Sequence, residues 1–298
     1  MSENRDAPPP PVTADHRRQF DAYRYVYPVV ARRSKGLSLG VNLNPDKRCN
    51  YSCVYCQIDR HVRRDLHHVD LDQLRRELLE LTRYAAGGEI WKHPRFAPTP
   101  PPLRRLNDIA LSGDGEPTCL PDFDRAVAIA ADVRRSLNLD QLKLVIITNA
   151  SQLDQPRVRR ALPILDANNG EIWAKLDAGT QEYFQRINRP APPVTLRHIL
   201  ANIAALAQGR PVVIQTLLVR LNDQEPSPQE IAAYCRNLQS ILAAGGRIKL
   251  VQLHTTARPP AEDYVGPLSP EQLERIAQHV REAVGHDVPV EVYPSVPR

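Results

Sequence analysis

From residue 37 onward, short apolar runs alternate with longer amphipathic ones. Leu37-Ser-Leu-Gly-Val-Asn-Leu43 puts apolar side chains at every second position, which predicts a strand. Leu71, Leu74, Leu78 and Leu81 recur at helical spacing, so 70–84 reads as a helix with Asp70 as its cap. A second strand is expected at 108–112, a helix at 122–137 and a third strand at 142–148. Further strands are predicted at 171–177, 212–219 and 248–253, with helices at 195–208 and 228–243 between them. A helix at 270–284 and a short strand at 288–292 close the pattern. Strands that alternate with helices imply right-handed crossovers and a mainly parallel sheet. With about six such units, a partial or full (β/α) barrel and an open doubly wound sheet both satisfy the pattern. No fixed-period repeat is evident, which argues against a solenoid.

In either architecture, ligand sites lie beyond the carboxyl ends of the parallel strands. The segment after the first strand carries three cysteines, and Gly113-Asp-Gly-Glu116 follows the second. Asn149 ends the third strand and Asp177 the fourth. Four polar or reactive features therefore fall on one rim.

Composition sharpens this only in part. The chain has 298 residues, 42% apolar and 24% charged, as expected of a globular protein with a sizeable core. Its net charge of +5 permits a nucleic acid or phosphorylated partner without demanding one. The first residues lack the apolar stretch of a secretion signal, and no apolar run reaches the roughly 20 residues of a membrane span; the expectation is a soluble, cytoplasmic protein without membrane contact. Prolines number 28, nearly twice the usual ~5%, and cluster at 8–11 and 98–102. Residues 1–30 accordingly read as a partly disordered N-terminal arm, and 87–106 as a proline-rich surface insertion within a domain spanning 31–298.

Five cysteines remain: Cys49, Cys53, Cys56, Cys119 and Cys235. An odd number in a chain read as intracellular argues against a disulfide framework. Cys49, Cys53 and Cys56 form a C-x3-C-x2-C run, and short cysteine runs of this sort hold iron–sulfur clusters. Three thiolates leave one iron of a cubane cluster free for another ligand. A structural zinc site is the alternative; it needs a fourth ligand, for which His61, His67 and His68 are the nearby candidates. Cys119 and Cys235 read as ordinary small apolar residues.

The cysteine run, with Tyr55 just before its third cysteine and a strand ahead of it, resembles the cluster motif of the radical S-adenosylmethionine (SAM) superfamily. The resemblance implies a partial (β/α)6 barrel of TIM type. It also implies that Cys49, Cys53 and Cys56 hold a [4Fe–4S] cluster, that the amine and carboxylate of SAM bind the fourth iron, and that Tyr55 packs beside the adenosyl group. Gly113-Asp114-Gly115-Glu116 resembles the family's Gly-Gly-Glu element, with Asp114 in place of a glycine. By that likeness the loop's backbone and Glu116 engage the SAM amine; glycines permit close backbone approach, and a carboxylate neutralises an ammonium. Asn149, Lys175 and Asp177 would face the same rim and contact SAM or the substrate, and Gln215 and His254 are weaker candidates.

Within the superfamily, the 37–60 run, Ser112–Thr118, Ala174–Ala178 and Ile187-Asn-Arg-Pro190 resemble the tRNA wyosine-base synthase branch, although the chain lacks a second cysteine set. The implied activity is reductive cleavage of SAM to a 5′-deoxyadenosyl radical that abstracts hydrogen from a substrate, with an external one-electron reductant of flavodoxin or ferredoxin type. No hydrogen-abstraction partner side chain can be named. The substrate is tRNA or a small molecule or peptide; for RNA, Arg63, Arg64, Arg104 and Arg105 are the candidate phosphate contacts. The alternative is a non-catalytic iron–sulfur or zinc-binding sensor or scaffold.

Overall fold

The protein is described from a computed structural model, which covers residues 20–58, 68–258, 260 and 262–295. The core is a curled, eight-stranded sheet. Its strands, in chain order, are β1 (Val26–Ala31), β2 (Gly36–Val41), β3 (Leu106–Leu111), β4 (Lys143–Thr148), β5 (Gly170–Lys175), β6 (Val212–Leu217), β8 (Ile248–His254) and β10 (Val290–Tyr293), which also neighbour one another in that order. A small antiparallel pair, β7 (Val219–Leu221) with β9 (Val265–Pro267), stands apart. From β2 to β10 the sheet is parallel, and β1 pairs antiparallel with β2 at one edge.

Helices α1 (Leu71–Ala86), α2 (Phe123–Ser136), α3 (Pro156–Asp166), α4 (Gln181–Asn188), α5 (Leu196–Gly209), α6 (Pro228–Ala243) and α7 (Pro270–Val284) fill the crossovers. Six strand–helix units result, opened by β2, β3, β4, β5, β6 and β8, and β10 follows as a seventh parallel strand. This is the partial (β/α)6 barrel. The local signals act as expected: Asp70 accepts the amides of Asp72 and Gln73 at the start of α1, and Ser269 with Gln272 forms a reciprocal cap on α7. Outward strand residues such as Leu39, Ile109, Leu144 and Ile172 pack with the helices in one continuous core. Ala110, Val145, Trp173 and Val213 form a second, smaller cluster on the opposite face.

The two sheet edges are joined by side chains rather than by a ladder. Arg32, in the β1–β2 turn, donates to the Pro294 carbonyl, and Lys35 pairs with Glu291 at 2.7 Å. Near the start of the strands, Glu171 accepts from Lys143 and Lys249, each at 2.8 Å, and from the Trp173 indole. Burial pushes the Glu171 carboxyl up, but these hydrogen bonds outweigh it and hold the group at about 2.

Two boundaries differ from the sequence reading. Residues 20–30 are not part of an arm: Phe20 is buried against Tyr84, His93 and Phe96, and 26–31 is strand β1. The buried carboxylate of Glu77 in α1 accepts the amides of Arg24 and Tyr25, fastening this edge to the helix layer. Residues 1–19 lie outside the described residues. The proline-rich 87–106 stretch buries Ile90 and Phe96 completely, so it packs onto the domain instead of standing off its surface. Among the described residues no helix is long and apolar enough to cross a membrane.

Candidate active site

The three cysteines follow β2 in a loop whose path is fixed by a second segment, 187–191, at the end of α4. The Ser52 amide donates to the Arg189 carbonyl, Val54 to Ile187, and the Ala191 amide to Asn50; Tyr51 bridges to Pro190. Arg189 sits in the left-handed region at φ 43°, which turns the chain out of α4 and into this pairing. The Ile187-Asn-Arg-Pro190 stretch is therefore the backing of the cysteine loop.

Glycines set the fit on the other side. A Cβ on Gly115 would lie 1.9 Å from the Arg48 carbonyl and 2.8 Å from Asn44, and one on Gly113 would lie 2.3 Å from the Asn42 side chain. Neither contact is sterically allowed, so the loop after β3 packs against 42–48 only because these positions are glycine. Asp114 is held by Asn42, which donates to its carboxylate at 2.8 Å and accepts its amide at 3.0 Å.

These loops bound a cavity of about 370 Å³ in the barrel interior. Cys49, Cys53, Cys56, Tyr55, Gly113, Gly115, Glu116, Asn149 and Lys175 all line it. Asp114 and Asp177 do not. Asp177 is instead a buried hub: it accepts from Lys175 Nζ at 3.1 Å, Asn188 Nδ2 at 3.0 Å, the Leu217 amide at 2.9 Å and the Tyr55 hydroxyl. Lys175 lies 5.4 Å from the centre of the Tyr55 ring.

Glu116 is also an internal anchor, 3% exposed. Its Oε1 accepts from the Thr118 amide and hydroxyl and from the Thr148 hydroxyl at 2.6 Å, and its Oε2 accepts the Asn149 amide at 2.7 Å. Burial pushes its pKa up, against the pull of these four donors. Asn149 is tied to Asn50 and Ser151, linking the β4 end to the cysteine loop.

Asn188, which sequence reasoning did not single out as a site residue, joins the parts. Its Nδ2 meets Cys53 Sγ at 3.6 Å, Tyr55 Oη at 2.9 Å and Asp177, and its Oδ1 is buried without a partner. Of the weaker candidates, Gln215 donates to Gln252 and does not line the cavity, whereas His254 lines it and is 6% exposed.

Three thiols from one short loop, Cys49, Cys53 and Cys56, border the cavity. Zinc–sulfur bonds of about 2.3 Å would draw three thiolates onto one point. Among the described residues no group of three Cys, His, Asp or Glu converges closely enough to hold one ion. Three thiolates on one short loop are also the donor set of an iron–sulfur cluster. Burial, with Asp177 nearby, pushes the Cys53 thiol up to about 12, so a metal held there would have to displace its proton. His68 borders a separate crevice with Cys49 and Cys119; His61 and His67 lie outside the described residues. Cys119 is partly buried, and Cys235 is buried between α6 and α7.

The candidate phosphate contacts do not sit on this rim. Arg104 and Arg105 precede β3, at the opposite end of the barrel, and donate to the carbonyls of Thr99, Ala97 and Lys35. Arg63 and Arg64 lie outside the described residues.

The fold is that of the radical SAM enzymes. A radical SAM methyltransferase from Sphaerobacter thermophilus superposes with a TM-score of 0.61 at 14% identity, covering 90% of this chain and 68% of that one. The structure of TYW1 with a lysine-pyruvate adduct gives 0.54 at 14%, covering 84% and 74%. In sequence, the chain is 26% identical over 261 residues to a UPF0026 protein of Methanocaldococcus jannaschii, covering 87% of this chain and 71% of the relative. Across the curated relatives it matches, the chain spans from 32% to 71% of their length. No protein-family model matches it.

Proposed function

We propose that the protein is a radical SAM enzyme, in which Cys49, Cys53 and Cys56 hold a [4Fe–4S] cluster and SAM lies beneath them in the barrel interior. The carrying observation is that the three thiols and the Gly113–Glu116 loop, 57 residues beyond the third thiol, border one cavity inside this fold. The cofactor pair supplies one-electron reduction and a 5′-deoxyadenosyl radical. What the chain supplies is position. The 187–191 segment and Asn149 hold the cysteine loop from two sides, and Gly113 and Gly115 let the neighbouring backbone approach it. Glu116, which lines the cavity and whose Oε2 accepts the Asn149 amide, is the candidate partner of the SAM amine, and Tyr55, held by Asp177 and Asn188, offers its ring to the adenosyl group. Lys175 at the cavity wall is the candidate partner for the SAM carboxylate.

The reductant is an external one-electron donor of flavodoxin or ferredoxin type, and the protein works inside the cell, where such donors and reduced thiols are kept. Hydrogen comes from a substrate that reaches into the same cavity. Anaerobic reconstitution tests the reading: about four irons and four sulfides per chain are expected, with a spectral change when SAM is added. Stoichiometric zinc without sulfide would overturn it.

A further inference from the structure

The barrel interior also holds a group of residues that the SAM reading leaves unused. Arg32, Arg33 and His254 line the same cavity as the cysteines, on the side formed by the β1–β2 turn and the ends of β8 and β10. The SAM features follow β2, β3, β4 and β5 instead.

Arg33 has no acidic or hydrogen-bonding partner among the described residues, and burial together with Arg32 pushes its guanidinium down to about 10. Arg32 is anchored by the Pro294 carbonyl, and its charge acts on Arg33. His254 is buried, its Nδ1 has no partner, and burial with Arg33, Lys175 and Arg32 drives its pKa well below the usual value. It is therefore a neutral ring that can still offer one hydrogen bond. The acids of this cavity do not answer the charge. Asp108 is pushed up by burial and takes the hydroxyls of Ser34 and Ser38, and Glu116 is occupied at the β3–β4 ends. Two guanidiniums that line one cavity without an acidic partner among the described residues favour a bound counter-charge. Guanidinium forks match the paired oxygens of carboxylate and phosphate.

We propose that Arg33, Arg32 and His254 form a seat for the anionic group, carboxylate or phosphate, of a small-molecule substrate bound inside the barrel. The inference rests on the radical SAM reading, because that reading places the reacting carbon in this cavity. A volume of about 370 Å³ is at the small-ligand end of ordinary pockets, and the seat lies within it rather than on an outer face where a folded RNA would lie.

The test uses cluster-loaded protein under anaerobic conditions. Orthophosphate in one arm and acetate in the other are titrated by calorimetry, with the His254 ring resonance followed by NMR. One equivalent of anion is expected, with a shift of the His254 signal; the tighter arm identifies phosphate or carboxylate as the source. Arg33→Gln should weaken that binding at least tenfold while SAM affinity stays within twofold. Arg33→Lys, which keeps the charge and loses the fork, should fall between; it also covers the case in which Arg33→Gln melts early. Absence of binding in both arms, equal binding by Arg33→Gln, displacement of the anion by tRNA, or loss of SAM affinity in Arg33→Gln would each overturn the proposal. A wild-type protein that binds the anion but not SAM would instead overturn the radical SAM reading and leave the seat standing.

Discussion

Replacing Glu116 by Gln separates what the site needs for its architecture from what it needs for SAM. The carboxylate accepts four hydrogen bonds, two of them from backbone amides, Thr118 on Oε1 and Asn149 on Oε2. A carboxamide is nearly isosteric, but one of its two heads is a donor. In either orientation one of those backbone amides loses its acceptor, while the Thr hydroxyls can turn and accept instead. A hydrogen bond to a charged group is worth about 1.5–3 kcal/mol, and a buried unmatched donor costs about 1–3 kcal/mol. The carboxylate's own burial penalty, visible in its raised pKa, offsets part of this, and the net loss should be about 2 kcal/mol. For a chain of this size that lowers the melting temperature by roughly 4 °C. SAM affinity should fall by about tenfold or more, since the carboxamide no longer carries charge to an ammonium. Thermal unfolding of cluster-loaded protein gives the first number, and titration of the cluster's spectral response with SAM gives the second. An unchanged melting temperature would refute the hydrogen-bond reasoning. A lowered one with unchanged SAM affinity would make Glu116 a scaffold residue and remove it from the SAM site.

Further outcomes follow from the same geometry. Cys49→Ala, Cys53→Ala and Cys56→Ala should each abolish the reconstituted cluster, whereas Cys119→Ala and Cys235→Ala should retain full iron and sulfide. Gly115→Ala forces a methyl into the Arg48 carbonyl next to Cys49, so it should destabilise by about 1–3 kcal/mol in chemical denaturation and lower iron occupancy as well. Glu171 contributes stability that is fully present above its unfolded pKa near 4.5 and is lost as pH falls through its folded value of about 2. The stability gap between wild type and Glu171→Gln should therefore close on acidification from pH 5 to 2, by about 2–3 kcal/mol at low salt and less at high salt because Lys143 and Lys249 are half exposed; a gap independent of pH would refute the ion-pair assignment.

The parallel strands were legible because strands covered on both faces read as near-continuous apolar runs, as in 142–148 and 248–253. The cysteine run and the Gly113–Glu116 loop were legible because their chemistry is local. Strand β1 was not: Pro28 lies within it and a proline cluster precedes it, so the segment looked like an arm, yet a proline is tolerated on an edge strand. Helix α4, at eight residues, is too short to show a periodicity, and Asn188 gains its role only from the backbone pairing of 187–191 with the cysteine loop, a contact across more than 130 residues. Asp114 and Asp177 were placed at the site by their position after strands. Their side chains turn instead to Asn42 and to the Tyr55–Asn188–Lys175 group, an outcome fixed by tertiary neighbours rather than by strand position.

The central claim is that these loops make a radical SAM active site, and its most direct test is the fate of SAM itself. Anaerobically reconstituted protein is reduced with dithionite in the presence of SAM, and 5′-deoxyadenosine and methionine are quantified by chromatography. The account predicts both products in equal amounts, dependent on reductant and absent from Cys53→Ala. A protein that carries its full cluster yet leaves SAM intact, or cleaves it equally well without Cys53, would contradict it.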